Sequence, residues 1–508
     1  MSRKLSGIVL SYLLIGIDIV IGIMLVPFLL NSLGDYGYGV YKLLFSTASY
    51  LAVLDFGIGG TITRYIVKYR TEKKEQEKES FMAMGLIIYG ALAVIVIIFA
   101  SLVCTAIPNM YKASIKAEDM QFAQIMFMVL CSTTAVRLFN HAYHGLFAAY
   151  ERFTYSKGVN ICQVLTRVLL LVVGLYFIKS AMVVAVVDLS LAVAILILNI
   201  FYTKFGIKFR VKLHKWDGSI AKEAGVFTLA ILFQSIINQF NTNANNMILG
   251  GFVNAAQIAL YSIALQLYSM YGNLSTSVSS VFLPSISRNV FAGASDDEIT
   301  ESIIRPSRMQ LMVLLLALSG FVLFGKDFIG VWVGDGYDMV YVLACILLLT
   351  STIDLSQNTI TSVLKAKNKL HGKTAILGAS TAINILITFL LVPRFGIVGA
   401  VMGTAFSMIF GYGLALNLYY HFKIGVNMIT YYKKTYKGIL PAVILALIPG
   451  VLINRLIPGN SWLMFFVEAA IYCVFYGLII YFIGMNKSEK EYVMNLIGKF
   501  IRKTKKEG

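Results

Sequence analysis

The chain has 508 residues, 58% of them hydrophobic and only 13% charged, with a mean hydropathy of +0.77. A soluble protein carries roughly a quarter charged residues, so this composition excludes a water-soluble enzyme of several domains. The 43 Lys and Arg against 25 Asp and Glu give a formal charge of +18. In so apolar a chain that excess reads as the positive-inside bias of membrane loops, not as nucleic-acid binding.

Apolar windows of about 20 residues predict fourteen membrane helices. The first, 8 to 30, follows Arg3 and Lys4 and lacks a small-residue cleavage pattern, so it is expected to span and not to be a signal peptide. In chain order the others are 38 to 59, 80 to 104, 120 to 147, 158 to 178, 181 to 202, 224 to 250, 256 to 283, 309 to 325, 339 to 364, 374 to 392, 397 to 420, 438 to 457 and 462 to 484. Cys104, Cys131, Cys162, Cys345 and Cys473 all fall in apolar stretches without a CxxC or Cys/His spacing, and are expected as small buried thiols.

With the N-terminus in the cytoplasm, 34 of the 43 basic residues fall in inner segments, 6 in outer loops, and three (Lys42, Arg137, Arg167) inside or at the edge of spans. Both termini are therefore expected in the cytoplasm. The outer loops are too short for an external catalytic domain. The basic segments at 203 to 222 and 486 to 508 are expected to lie on anionic lipid.

An internal repeat sets the even span count in order. Residues 146 to 153 (LFAAYERF) align with 363 to 370 (VLKAKNKL) at an offset of 217, and 37 to 45 match 256 to 265 more weakly at an offset near 220. A unit of six spans gives halves of like orientation, related by an axis along the membrane normal. The expected fold is an all-α integral membrane protein of about fourteen helices, with two six-helix lobes related by a pseudo-two-fold axis and a C-terminal helix pair. The limits are an N-lobe at 1–202, a linker at 203–222, a C-lobe at 223–421, the pair at 437–484 and a tail at 485–508.

Charges inside spans are costly and usually face a cavity or a partner. Arg137 and Arg167 come out about 15 Å deep on consecutive helices, and Asp18 and Asp354 at a similar depth, from a rise of about 1.5 Å per residue. By the repeat, Arg137 occupies the place of Asp354, Arg167 that of Asn384, and Asp18 that of Asn238. Two readings stay open. The arginines are neutralised by Asp18, Asp188 or Asp354 as buried pairs, or they line a water-filled cavity with a cationic first lobe suited to phosphate.

Arg137, His141 and His144 share one helical face at i, i+4, i+7, a stripe that could carry a proton, bind an anionic headgroup, or merely pack. Without a third ligand it is no metal site. Span seven holds Gln234, Asn238, Gln239, Asn241, Asn243, Asn245 and Asn246, which either line water or hydrogen-bond between helices. Gln357, Asn358 and Asn384 extend that polar lining. Lys42 and Asp55 bracket span two, with Arg64 and Lys68 just beyond it, and interfacial anchoring competes with a site role for all four. Glu468 in span fourteen has no evident partner. No GxxxxGK[ST] loop appears, so transport would draw on an ion gradient or on substrate supply.

The opening stretch VPFLLNSLGDYGYGVYKLLFSTASYLAVLDFGIGGTITRYIVKY resembles the N-terminal signature of Wzx-type oligosaccharide flippases, within the multidrug/oligosaccharidyl-lipid/polysaccharide exporter superfamily. The resemblance rests on Leu33, Gly34, Gly39, Tyr41, Leu54, Asp55, Gly57, Gly59 and Arg64, with the short motifs at Ala149 to Phe153 and Ala366 to Leu370. It implies translocation of undecaprenyl-diphosphate-linked oligosaccharide units across a bacterial cytoplasmic membrane by alternating access around a cationic cavity, with coupling to protons or sodium. Family members often have twelve spans; in related lipid II flippases an extra pair forms a groove for the lipid tail.

On this reading Arg137, Arg167, His141, His144, Lys42, Arg64, Asn238, Gln239, Asn241 and Asn384 meet the diphosphate and sugars. Asp18, Asp354, Asp188 and Asp55 are the candidates for ion coupling. No enzyme activity, cofactor, metal or nucleic acid is expected. The expected partners are the lipid-linked substrate, membrane lipids and polysaccharide assembly proteins, and the chain is expected to be a monomer. The alternatives are a cation-coupled multidrug antiporter, which would want unopposed acids in the cavity; a membrane-embedded polymerase or ligase, which would want a large outer loop; and a non-transporting scaffold.

Overall fold

The computed structural model describes residues 3–55, 57–216, 218–457, 459–491 and 494, and every regular element among them is helical. The helices are α1 (Arg3–Ser49), α2 (Ile58–Thr71), α3 (Glu75–Met110), α4 (Met120–Ala149), α5 (Phe153–Phe177), α6 (Ala181–Phe201), α7 (Gly218–Phe252) and α8 (Ala255–Phe291). They continue with α9 (Asp296–Val333), α10 (Asp338–Ser356), α11 (Ile360–Ala366), α12 (Leu370–Ser407), α13 (Leu416–Tyr419), α14 (Met428–Tyr436), α15 (Ile439–Leu456) and α16 (Trp462–Ile479). Among the described residues ten helical stretches are long and apolar enough to cross a membrane, as a multi-pass membrane protein requires.

Several expected boundaries take a different form. Spans one and two run on as α1 through a single-residue break at Gly34 (φ 68°, ψ 169°), and spans eleven and twelve meet in α12 at Gly396 (φ 55°). A Cβ is disfavoured at such angles, so glycine lets the chain turn without a loop. Span two ends early. A 3-10 turn at Tyr50–Asp55 and a left-handed Gly57 lead into α2, whose residues had been assigned to a basic loop. Span ten is also broken, between Ser356 and Ile360.

The chain divides into two compact units, 1–263 with 385–400, and 264–384 with 401–508. In the first, α4 packs against α2, α3 and α6, while α1 packs against α4, α5 and α7. In the second, α9 packs against α10, α14, α15 and α16. There Arg308, just before the predicted span at 309 to 325, is buried at 4% exposure. Its guanidinium donates to Glu489 (2.6 and 3.1 Å) and to the carbonyls of Lys434 (2.8 Å), Thr435 (3.1 Å), Lys437 (2.9 Å) and Gly484 (2.7 Å). One planar cation thus closes the helix ends around the last span and ties down the first turn of the tail.

The repeat noted in the sequence has a local structural counterpart. α4 ends at Ala149 and α5 begins at Phe153; 217 residues later α11 ends at Ala366 and α12 begins at Leu370. Both turns carry a left-handed residue, Glu151 (φ 54°) and Asn368 (φ 53°). The same pair of hydrogen bonds closes each: Arg152 N–H to Phe147 and Glu151 N–H to Ala148, then Lys369 N–H to Leu364 and Asn368 N–H to Lys365. This is the Schellman pattern. It recurs at Lys73 and Gly293, positions 220 apart.

The cysteines only partly meet the expectation. Cys131 is buried and Cys104 and Cys345 half-buried, but Cys162 and Cys473 are exposed. A face without protein cover on an apolar helix is a lipid face, where a thiol is as well tolerated as in a core.

Candidate functional site

The FGIGG stretch shapes the site by letting helices touch. The Gly59 carbonyl lies where a Cβ on Gly145 would sit, and a Cβ on Gly59 would come to 3.0 Å from the His141 carbonyl. α2 and α4 therefore cross with their backbones in contact, and the Thr63 hydroxyl donates to the Gly145 carbonyl at 2.9 Å. Gly39 plays the same part for α1, since a Cβ there would run into the Ala255 carbonyl at the start of α8. These approaches bring the break after α1 up against α4.

A cavity of 170 Å³ opens there, lined by Phe45, Ser49, Asp55, Arg137, His141 and Asp188 together with small and apolar neighbours from α1 and α4. Its two acids already have partners. Asp55 accepts from the Tyr89 hydroxyl at 2.7 Å and stands 3.2 Å from His141 Nδ1. Asp188, 5% exposed, receives both arms of Arg167, at 2.6 and 3.1 Å. Tyr41 and Lys42 of α1 both lie near enough to Arg167 to interact with it electrostatically, the lysine by repulsion.

Arg137 makes no hydrogen bond or ion pair among the described residues, and its side chain is exposed into the cavity. The arrangement therefore separates the two arginines predicted together. Arg167 is a paired, partly buried cation, whereas Arg137 is a free one. A guanidinium twelve residues, about 18 Å, from the end of its helix needs an anion, and its planar fork suits paired oxygens.

Other predicted residues lie elsewhere. His144 is half-buried on the same helix but does not line the cavity, and Arg64 is exposed over the Tyr65 ring at 5.9 Å. On α7, Asn245 donates to Tyr261 (2.9 Å) and Asn246 to Ser46 (2.9 Å), so these amides join helices. Asn238 and Asn241 are exposed, and Gln239 has a buried amide nitrogen without a partner. In the second unit Asn384 is buried at 2% exposure, and Asp354 is half-buried with no ion pair among the described residues. The side chain of Asp18 lies outside the described residues. Tyr89 was not anticipated, because a lone tyrosine in an apolar span carries no pattern. Among the described residues no cluster of metal-ligating side chains is present.

A family model described as "Polysaccharide biosynthesis protein" matches residues 5–290, more than half of the chain. Two relatives come from Haloferax volcanii. "Probable flippase AglR" is 27% identical over 34% of this chain and 36% of its own length; "Probable low-salt glycan biosynthesis flippase Agl15" is 24% identical over 46% and 48%. The chain thus aligns with less than half the length of either. Over 97% of the chain, and 99% of the other, the fold resembles "Lipid II flippase MurJ, inward closed conformation", with a TM-score of 0.66 and 14% identity. A multidrug resistance MATE family transporter in an inward-facing conformation covers 82% of this chain and is itself covered over 99%, with a TM-score of 0.58 and 12% identity. By the family match, the chain belongs to the polysaccharide biosynthesis protein family.

Proposed function

We propose that this chain is a flippase and not an enzyme, moving undecaprenyl-diphosphate-linked oligosaccharide units across a bacterial cytoplasmic membrane by alternating access, with both termini in the cytoplasm. The observation that carries the reading is Arg137, a guanidinium without an ion pair facing a cavity whose two acids already have partners of their own. A diphosphate supplies the paired oxygens that such a fork binds. Lys42 and the Arg167–Asp188 pair stand behind it and keep the local balance positive. Asp354, unpaired in the second unit, is the candidate for coupling to a proton or sodium gradient. The family membership and the two flippase relatives support the substrate class.

The test is a reconstituted flipping assay with a fluorescent polyprenyl-diphosphate sugar in proteoliposomes. Arg137→Ala should abolish flipping at normal protein levels, and Arg137→Lys should retain part of it, since a single ammonium keeps the charge but loses the fork. Undiminished flipping by Arg137→Ala would overturn the site assignment. Dye efflux without flipping would favour an antiporter.

A further inference from the structure

The second unit holds a carboxyl group that the proposed transport site does not use. Glu468 on α16 has 0% exposure, and neither of its carboxyl oxygens has a hydrogen-bond partner among the described residues. A β-carbon placed on Gly459 would lie 2.6 Å from Glu468 Oε1 and 3.2 Å from the Asp327 carboxyl carbon. The two acids therefore sit close together across the turn that joins α15 to α16. Asn454 of α15 donates to Asp327 Oδ2 at 2.9 Å. Asp327 and Gly459 also line a cavity of 580 Å³, together with Asp335, Asp338 and Lys326, so Asp327 stands between Glu468 and a pocket rich in acids.

Among the described residues nothing cationic faces Glu468. α9 presents Asp327 to it, and the neighbouring Lys326 is drawn over the Tyr341 ring at 5.8 Å. α15 contributes Asn454, while Arg455 is exposed at the helix end. On α16 itself Tyr472, one turn on, gives its hydroxyl to Ser319 at 2.7 Å. A buried carboxylate without a counter-charge is strongly disfavoured, and two carboxylates sharing one site do not both ionise. Among the described residues there is no third metal-ligating side chain to make the place a metal site.

We propose that Glu468 and Asp327 form a proton-binding site where α9 meets the final helix pair, with the proton on Glu468 and access through the acidic pocket. The proton resides on a Glu468 oxygen and leaves toward the water of the pocket, past Asp327; no bond other than O–H is made or broken. The site is independent of the arginine cavity, so its failure would leave the flippase reading intact.

The test is infrared difference spectroscopy on the full-length protein in lipid nanodiscs, titrated with acid and base. At neutral pH the wild type should show the carbonyl band of a protonated carboxylic acid, which shifts in D₂O and on ¹³C-glutamate labelling and is lost on raising the pH. Glu468→Gln should lack the band, and Asp327→Asn should keep it. The labelled wild type decides the matter even if a variant fails to fold. Absence of a glutamic-acid band at neutral pH would overturn the proposal, as would removal of that band by sodium at constant pH and ionic strength.

Discussion

The two midplane arginines of the first unit should behave oppositely when removed, because one is paired and the other is not. Arg167→Ala would leave Asp188 at 5% exposure without the guanidinium that meets both its oxygens. Breaking a buried pair from one side costs about 3–5 kcal/mol. Lys42 is near enough to offset part of that, so the lower end of the range is expected for Arg167→Ala. Asp188→Ala should sit at the upper end, because it leaves Arg167 and Lys42 repelling each other. Replacing both partners together with Met and Leu should recover most of the loss, since the desolvation of two ions disappears with the ions. Arg137→Ala removes an exposed side chain with no partner and should change stability by no more than about 0.5 kcal/mol, while abolishing flipping. The assay is thermal unfolding of the detergent-solubilised protein followed by size-exclusion fluorescence, alongside flipping in proteoliposomes. A silent Arg167→Ala, or an Arg137→Ala as destabilised as Asp188→Ala, would refute the assignment of roles.

Arg308→Ala should be among the most damaging substitutions in the second unit, by about 3–5 kcal/mol, because it strands Glu489 and four helix-end carbonyls; limited proteolysis should then cut near residue 485. Gly39→Val should cost about 1–3 kcal/mol by forcing α1 off the Ala255 carbonyl, read as a lower unfolding midpoint. Glu151→Gly should raise that midpoint by relieving a left-handed L-residue worth about 1 kcal/mol; an unchanged or lowered value would count against the turn geometry. Asp354→Asn should leave binding of a diphosphate-sugar lipid intact and remove the response of flipping to an imposed ion gradient, measured by varying the gradient in the same liposomes.

The apolar helices and the repeat were legible because hydropathy windows and an ungapped offset survive any detail of packing. Boundaries at Gly34, Gly57 and Gly396 were not, since a left-handed glycine replaces a loop without changing the apolar run on either side. The cavity was half legible. Depth arithmetic put Arg137 and Arg167 at one level, but which of them finds Asp188 depends on how α5 and α6 face one another, and no periodicity encodes that. The same holds for Tyr89 on Asp55, a pairing across helices that nothing in the local sequence announces. Arg308 looked like one more loop charge because its six acceptors are mostly backbone carbonyls, invisible to a residue code.

The repeat gives the placement of charge its meaning. Arg137 stands twelve residues before the Schellman turn that ends α4, and Asp354 twelve before the matching turn that ends α11. The same spacing thus places a cation without an ion pair on a continuous helix in the first unit, and in the second an acid on the far side of the break between Ser356 and Ile360. Had the two residues served only to fix helix packing, each would need a counter-charge within its own unit, as Arg167 has in Asp188 and Arg308 in Glu489. Arg137 has none among the described residues, whereas Asp354 has only the longer-range attraction of Lys373. A cation without an ion pair is costly in a membrane unless a ligand of opposite sign visits it. An anionic headgroup would meet that requirement at Arg137, which is what the proposed transport of a lipid diphosphate asks of it.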